Sequence, residues 1–298
     1  MTSGLATYVM TAGLSSDDYR FLGRAPKEAF WRRYADYSSF ERPTAILLCR
    51  DSHFRAYLSG VASARRDRTK TPLRYTLVLE GPCRTPAADL VLRALQSFVD
   101  DLAALKPGPL TPGSLGRALD SAFPEPFVES ALAALRDSPS ATTGPLAEIE
   151  SRADTAFRSL SADPPEFPTD LRFSHGGHAS PVSRTQFVSF AERLLFDGEP
   201  GAALVLNLAS PEHAVAIGGD EPSCSILFAR PDAAESHQDP VEWPPKKGRP
   251  GSPTGLPRAI ALREAQEEPG LSTRFSQMFL GALRTVRDFL LGRRRASS

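Results

Sequence analysis

The amino-acid sequence predicts an α/β or α+β fold in two lobes with mainly antiparallel sheets, followed by an amphipathic helix on a proline-rich linker. Three observations carry that expectation. Strand-like and helix-like patterns alternate from residue 1 to about residue 105. A second block, 165–235, combines a helical pattern with three short apolar runs divided by turn residues. Six prolines then occur without periodicity between 239 and 257, ahead of a stretch with helical apolar spacing. The predicted organisation is an N-terminal lobe with a helical extension (1–160), a small helix-plus-three-strand lobe (165–235), a linker (239–257) and a terminal helix (271–292).

In the first lobe, residues 5–11 form a strand candidate, and 26–37 read as a helix opened by Pro26, with Phe30, Trp31 and Tyr34 at helical spacing. Three strand-like runs follow: 44–49 (TAILLC), 54–61 (FRAYLSGV) and 73–80 (LRYTLVLE). The short turn Arg50-Asp51-Ser52-His53 makes the first two a β-hairpin, and a basic stretch, 65–70, leads to the third. Residues 87–105 are the clearest helix, with Leu90, Leu92, Leu95, Phe98, Val99 and Leu102 forming an apolar stripe. The proline-rich 107–112 ends it, and further helical patterns cover 125–135 and 146–160. Residues 137–145 read as a flexible connection, and the proline-rich 162–170 marks the lobe boundary.

In the second lobe, 183–196 reads as a helix with Ser183 as its N-cap. Runs 203–208, 213–217 and 224–229 read as strands of an antiparallel meander.

Composition narrows the functional classes. Lys+Arg and Asp+Glu number 35 each, so no global field draws the chain toward nucleic acid or an anionic membrane. The three cysteines lack CxxC spacing and read as reduced thiols of a cytoplasmic protein. The N-terminal segment has no basic region followed by a continuous apolar one, so no secretory signal is expected. Apolar runs fall far short of the ~20 residues that span a bilayer. Abundant Ala, Arg and Pro point to a bacterial source. No Walker A sequence, GxGxxG or GxSxG occurs, so no nucleotide cofactor is expected.

Three constellations remain. Gly176-Gly177-His178-Ala179-Ser180 precedes a helix, His213 opens a predicted strand, and Asp232 follows the next strand. That order resembles the small papain-like and transglutaminase-like cores. The resemblance implies a nucleophile at a helix N-terminus, a histidine base and an orienting carboxylate. It would make this chain a cysteine hydrolase or acyltransferase using His213 and Asp232, inactive or cysteine-substituted at Ala179, or relying on Ser180 or Ser183. The plainer reading makes His213 a strand-end residue and Asp232 a turn residue. His175 and His178 form an HxxH pair that His213 or His237 could extend, but it lacks a nearby Cys or carboxylate, and no metal is expected.

Arg65, Arg66, Arg68 and Lys70, near Tyr57 and Tyr75, form a candidate anion or nucleic-acid patch. Asp67 interrupts the run and a solvated loop is the favoured reading, so nucleic acid is not an expected partner. Finally, 272–291 places Phe275, Phe279, Leu283 and Val286 on one helical face, with Arg274, Arg284 and Arg287 elsewhere and Arg293-Arg294-Arg295 after it. This helix docks either on its own chain or in a partner's groove, ahead of any membrane contact. The function expected is therefore a non-enzymatic accessory or interaction subunit of a bacterial multi-protein system, with the hydrolase as alternative.

Overall fold

A computed structural model describes residues 4–14, 19–38, 42–104, 111–137, 146–161, 172–208 and 211–229. All lie in the first of two units, Met1–Lys246; the second, Lys247–Ser298, is outside the described residues. The predicted linker 239–257 and helix 271–292, and Asp232, therefore lie outside them too.

The strands are β1 (Ala6–Thr11), β2 (Arg20–Phe21), β3 (Thr44–Arg50), β4 (His53–Arg66), β5 (Pro72–Pro82), β6 (Phe173–Gly177), β7 (Gly201–Leu206) and β8 (Cys224–Phe228). The helices are α1 (Pro86–Ala103), α2 (Ser114–Ala122), α3 (Glu125–Asp137), α4 (Leu146–Arg158), α5 (Pro181–Asp197) and α6 (Pro211–Gly218). Residues Phe30–Tyr37 form a 3-10 segment kinked at Tyr34, shorter than the helix expected from Pro26.

All eight strands belong to one sheet, in the order β2-β1-β5-β4-β3-β7-β8-β6. Pairing is antiparallel from β2 to β7 and parallel among β7, β8 and β6. This corrects the expected pair of sheets in separate lobes. β7 pairs with β3 along Ala45↔Val205 to Cys49↔Gly201, so the sheet runs straight across the predicted boundary. The physical reason is burial: every residue of β7 (GAALVL) is buried, as an interior strand covered on both faces requires.

The first half follows its sequence closely. β3 and β4 pair from Thr44↔Ser59 to Arg50↔His53. Asp51 and Ser52 both adopt positive φ, 50° and 58°, the backbone of a two-residue type I′ hairpin turn. β4 runs past the predicted end at Val61 to Arg66, with register shifts between Leu58 and Val61 and between Ala62 and Arg66. Gly60 sits at the first shift with φ +74°, where a Cβ would lie 2.7 Å from the Arg42 carbonyl.

Helices α1 to α5 contribute buried residues to one core, on the sheet face that presents Val9, Leu77, Leu58, Leu47 and Val205. The stripe read on α1 is buried throughout. The opposite face, with Tyr8, Val78, Tyr57, Ile46, Leu204 and Ile226, is covered by Phe30 and Tyr34 of the 3-10 segment and by Ala214 of α6.

The second half departs from its prediction in three places. Residues 213–217 belong to helix α6, not to a strand, because β7 and β8 are parallel neighbours and the chain between them must cross over. Residues 173–177, not among the expected strands, are strand β6, held by a parallel ladder from Phe173↔Cys224 to Gly177↔Phe228. The cap of α5 is Ser180 rather than Ser183: its hydroxyl accepts from Ser183 N at 3.3 Å, with Pro181 at the first helical position.

Candidate functional site

In a parallel arrangement both helix-forming connections leave from the carboxyl ends of the strands. α5 begins four residues after β6 ends, and α6 begins five residues after β7 ends. The carboxyl-end rim of β6, β7 and β8 thus carries Ala179 and Ser180 at the start of α5 and His213 in the first turn of α6. The two helices flank opposite faces of the sheet, since α5 joins the Val205–Leu227 core and α6 the Leu204–Ile226 core.

Several polar groups of the rim are already engaged. Ser180 N donates to Gly177 O at 3.1 Å, and the Ser180 hydroxyl caps α5. Arg184 Nη1 donates to His178 O at 2.6 Å and to Ala179 O at 3.2 Å, folding the turn against the helix start. Ala179 itself is exposed. His178 is buried, and its Nδ1–H donates to Phe228 O at 3.0 Å. His213 is half-buried, its ring 6.2 Å from that of Tyr37. A histidine on a helix replaces the strand histidine that the papain-like and transglutaminase-like resemblance needed.

The HxxH residues divide. His175 stacks on Phe228 at 5.9 Å and borders Phe173. Burial pushes its pKa down against the opposing pull of Glu212, and Nδ1 is buried without a hydrogen-bond partner. Asn207, just past β7, donates its backbone N–H to Tyr37 O at 2.9 Å while its side-chain Nδ2 stays buried and unpaired. No group of three or more His, Cys, Asp or Glu able to hold a metal occurs among the described residues.

The basic stretch is dispersed by the fold. Arg65 is nearly buried, donating to Glu125 Oε2 at 2.9 Å, Thr11 Oγ1 at 2.6 Å and Ala12 O at 3.2 Å, with its guanidinium 5.0 Å from the Tyr75 ring centre. Arg66, Arg68 and Lys70 are exposed around the β4–β5 turn. That turn is organised by Asp67, whose Oδ1 accepts from Thr69 N and Thr71 N at 2.8 Å each. Tyr75 is fully buried in one core, whereas Tyr57 lies in the other under Trp31, stacked at 4.9 Å. The two rings that were to hold bases therefore sit on opposite faces of the sheet.

One cluster escaped the sequence reading. The side chain of Glu221, in the turn before β8, has no solvent exposure, and it accepts from Arg33 at 2.5 Å, Arg50 at 3.1 Å and Tyr34 OH at 3.2 Å. It ties the 3-10 segment and the end of β3 to the parallel half. Burial, then the Glu221 charge, pushes the Tyr34 phenol above its usual range. No spacing reveals this cluster, because Glu221 lies 188, 187 and 171 residues from Arg33, Tyr34 and Arg50 in sequence.

Together the fold and site define a mixed α/β protein built on an eight-stranded, mostly antiparallel sheet, and among the described residues no helix is long and apolar enough to cross a membrane. Comparison with family models, curated proteins and solved structures finds no match to this chain.

Proposed function

We propose that the chain is a non-enzymatic interaction subunit that docks a protein partner through the apolar stripe of 271–292. The carrying observation is that the described sheet is already covered on both faces. Among the described residues the large exposed apolar side chains are Leu14, Val182 and Phe196. Val182 and Phe196 lie fourteen residues apart on α5, about 21 Å at the helical rise. These are scattered side chains, not a patch that would receive Phe275, Phe279, Leu283 and Val286. The commitment of Ser180 to capping and the place of His213 on helix α6 support a binding role over hydrolysis.

The test is the full chain with Phe275→Asp, Phe279→Asp and Leu283→Asp together. The expected result is an unchanged thermal midpoint with loss of the protein that copurifies with the unmodified chain. A midpoint lowered by several degrees would show that the stripe packs on its own chain, and the proposal would fall.

A further inference from the structure

Cys49 and Cys83 are 34 residues apart in sequence, yet their sulfurs lie 3.0 Å apart. Cys49 is the penultimate residue of β3, where it pairs with Phe54 of β4 and Gly201 of β7. Cys83 follows β5 directly, and its N–H donates to Ser52 O at 2.8 Å, which lays this segment along the β3–β4 hairpin turn. The next residue holds the other side: Arg84 N donates to Leu195 O at 2.9 Å, and its side chain reaches Asp197 O near the end of α5. Both thiols are therefore carried on backbone fixed by hydrogen bonds. Closing the gap to a disulfide of about 2.05 Å needs a movement of about 1 Å.

We propose that Cys49 and Cys83 are a reversible disulfide site, which joins the end of β3 to the β5–α1 turn when the protein meets a peroxide. The two sulfurs have different roles. Cys49 is fully buried, whereas Cys83, in the turn after β5, keeps 6% exposure and takes the first oxidation in this scheme. Burial, then its neighbour, pushes the Cys49 thiol up to about 12, which disfavours its thiolate and so its making the first attack on peroxide. The Cys83 thiolate attacks a peroxide oxygen, the O–O bond breaks, and hydroxide leaves with Cys83 as the sulfenic acid. The Cys49 sulfur then attacks the Cys83 sulfur, the S–O bond breaks, and the oxygen leaves as water with the Cys49 proton. In sum, two thiols and one hydrogen peroxide give one disulfide and two waters. Cys224 is fully buried in the core on the opposite face of the sheet and stays a thiol.

The experiment treats the full chain with hydrogen peroxide, then counts thiols after unfolding and maps the bridged peptides. The expected product is lighter by about 2 Da, the two hydrogens of an intramolecular disulfide. It has lost two of its three thiols, carries a Cys49–Cys83 linked peptide, and returns to the starting mass with a dithiol reductant. Its thermal midpoint rises by about 5–10 °C, because the cross-link closes a long loop in the unfolded chain. Full-chain Cys83→Ser and Cys49→Ser variants should each form no bridge. Oxidation of Cys83 to the sulfinic acid with Cys49 still free would overturn the proposal. So would three intact thiols after prolonged peroxide, or a bridge that includes Cys224.

Discussion

In the antiparallel half of the sheet (β2-β1-β5-β4-β3) the β3–β4 and β4–β5 pairings are local, although β1 reaches β5 from Ala6↔Glu80, whereas in the parallel half (β7-β8-β6) no pairing is made by a hairpin. β3 and β4 are joined by a two-residue turn and pair in register over seven residue pairs. In the parallel half β8 is reached from β7 through helix α6, and β6 pairs with β8, some fifty residues further on through α5, β7 and α6. Local pairings are announced by local sequence, such as the turn at Asp51-Ser52 and the alternation on either side of it. Parallel pairings have no local announcement, and a short apolar run such as 213–217 reads equally well as strand or helix. The halves nevertheless share one sheet, because β7 completes the open edge of β3 and Glu221 draws both regions together.

The largest effect that would break this comparison concerns unity. Phe187 is fully buried in α5, within the core shared by both halves. Phe187→Ala is expected to cost about 3–5 kcal/mol. Hydrogen exchange should show protection falling equally in β4 and in β8; loss confined to β8 would show that the halves fold as separate lobes. Next comes the Glu221 cluster. Arg33→Ala with Arg50→Ala leaves a carboxylate of zero exposure without its cations, at a cost of about 3 kcal/mol in urea unfolding, given that both arginines are partly hydrated. A loss under 1 kcal/mol would mean the cluster does not join the halves.

Ser180 separates capping from chemistry. Ser180→Ala should cost about 1 kcal/mol, and Ser180→Asp should recover most of it, since either side chain can accept from Ser183 N. If Asp fails to restore the stability lost with Ala, the hydroxyl has another role. The smallest effect is a pH dependence. His175 has a folded-state pKa below its ordinary value, so the unfolded chain takes up the proton first. Stability is therefore full above the ordinary histidine range and declines as pH falls from about 6.5 toward the lowered folded value. Its neighbours in this titration are Glu212 from α6 and the rings of Phe173 and Phe228. His175→Phe should flatten that part of the stability-versus-pH curve, and a decline of the same size in the variant would assign it to other groups.

Much of the site reading turned on which element each residue joined. Ala179 and Ser180 do lie just ahead of a helix, as the Gly-Gly-His-Ala-Ser stretch indicated, because a Ser followed by Pro is a strong local start signal. His213 was placed on the wrong element, and with it went the strand-borne base. Arg65 looked like one of four equivalent cations until the fold placed Glu125, Thr11 and Ala12 around it. The Glu221 cluster and the Cys49–Cys83 pair had no signal at all, since each is a contact made by strand order.

By itself the sequence determined what short-range physics controls: the β3–β4 hairpin with its turn, the buried stripe of α1, the helix 181–197 within about two residues, and the strand character of β1, β5, β7 and β8. Only the tertiary structure decided that these strands form one sheet, that 213–217 is helical and 173–177 extended, and which charged and sulfur-bearing side chains meet. The reason is that burial of β7 on both faces and the crossover geometry of parallel strands are properties of neighbours distant in sequence. The hydrophobic pattern states that a segment must be covered, but not what covers it.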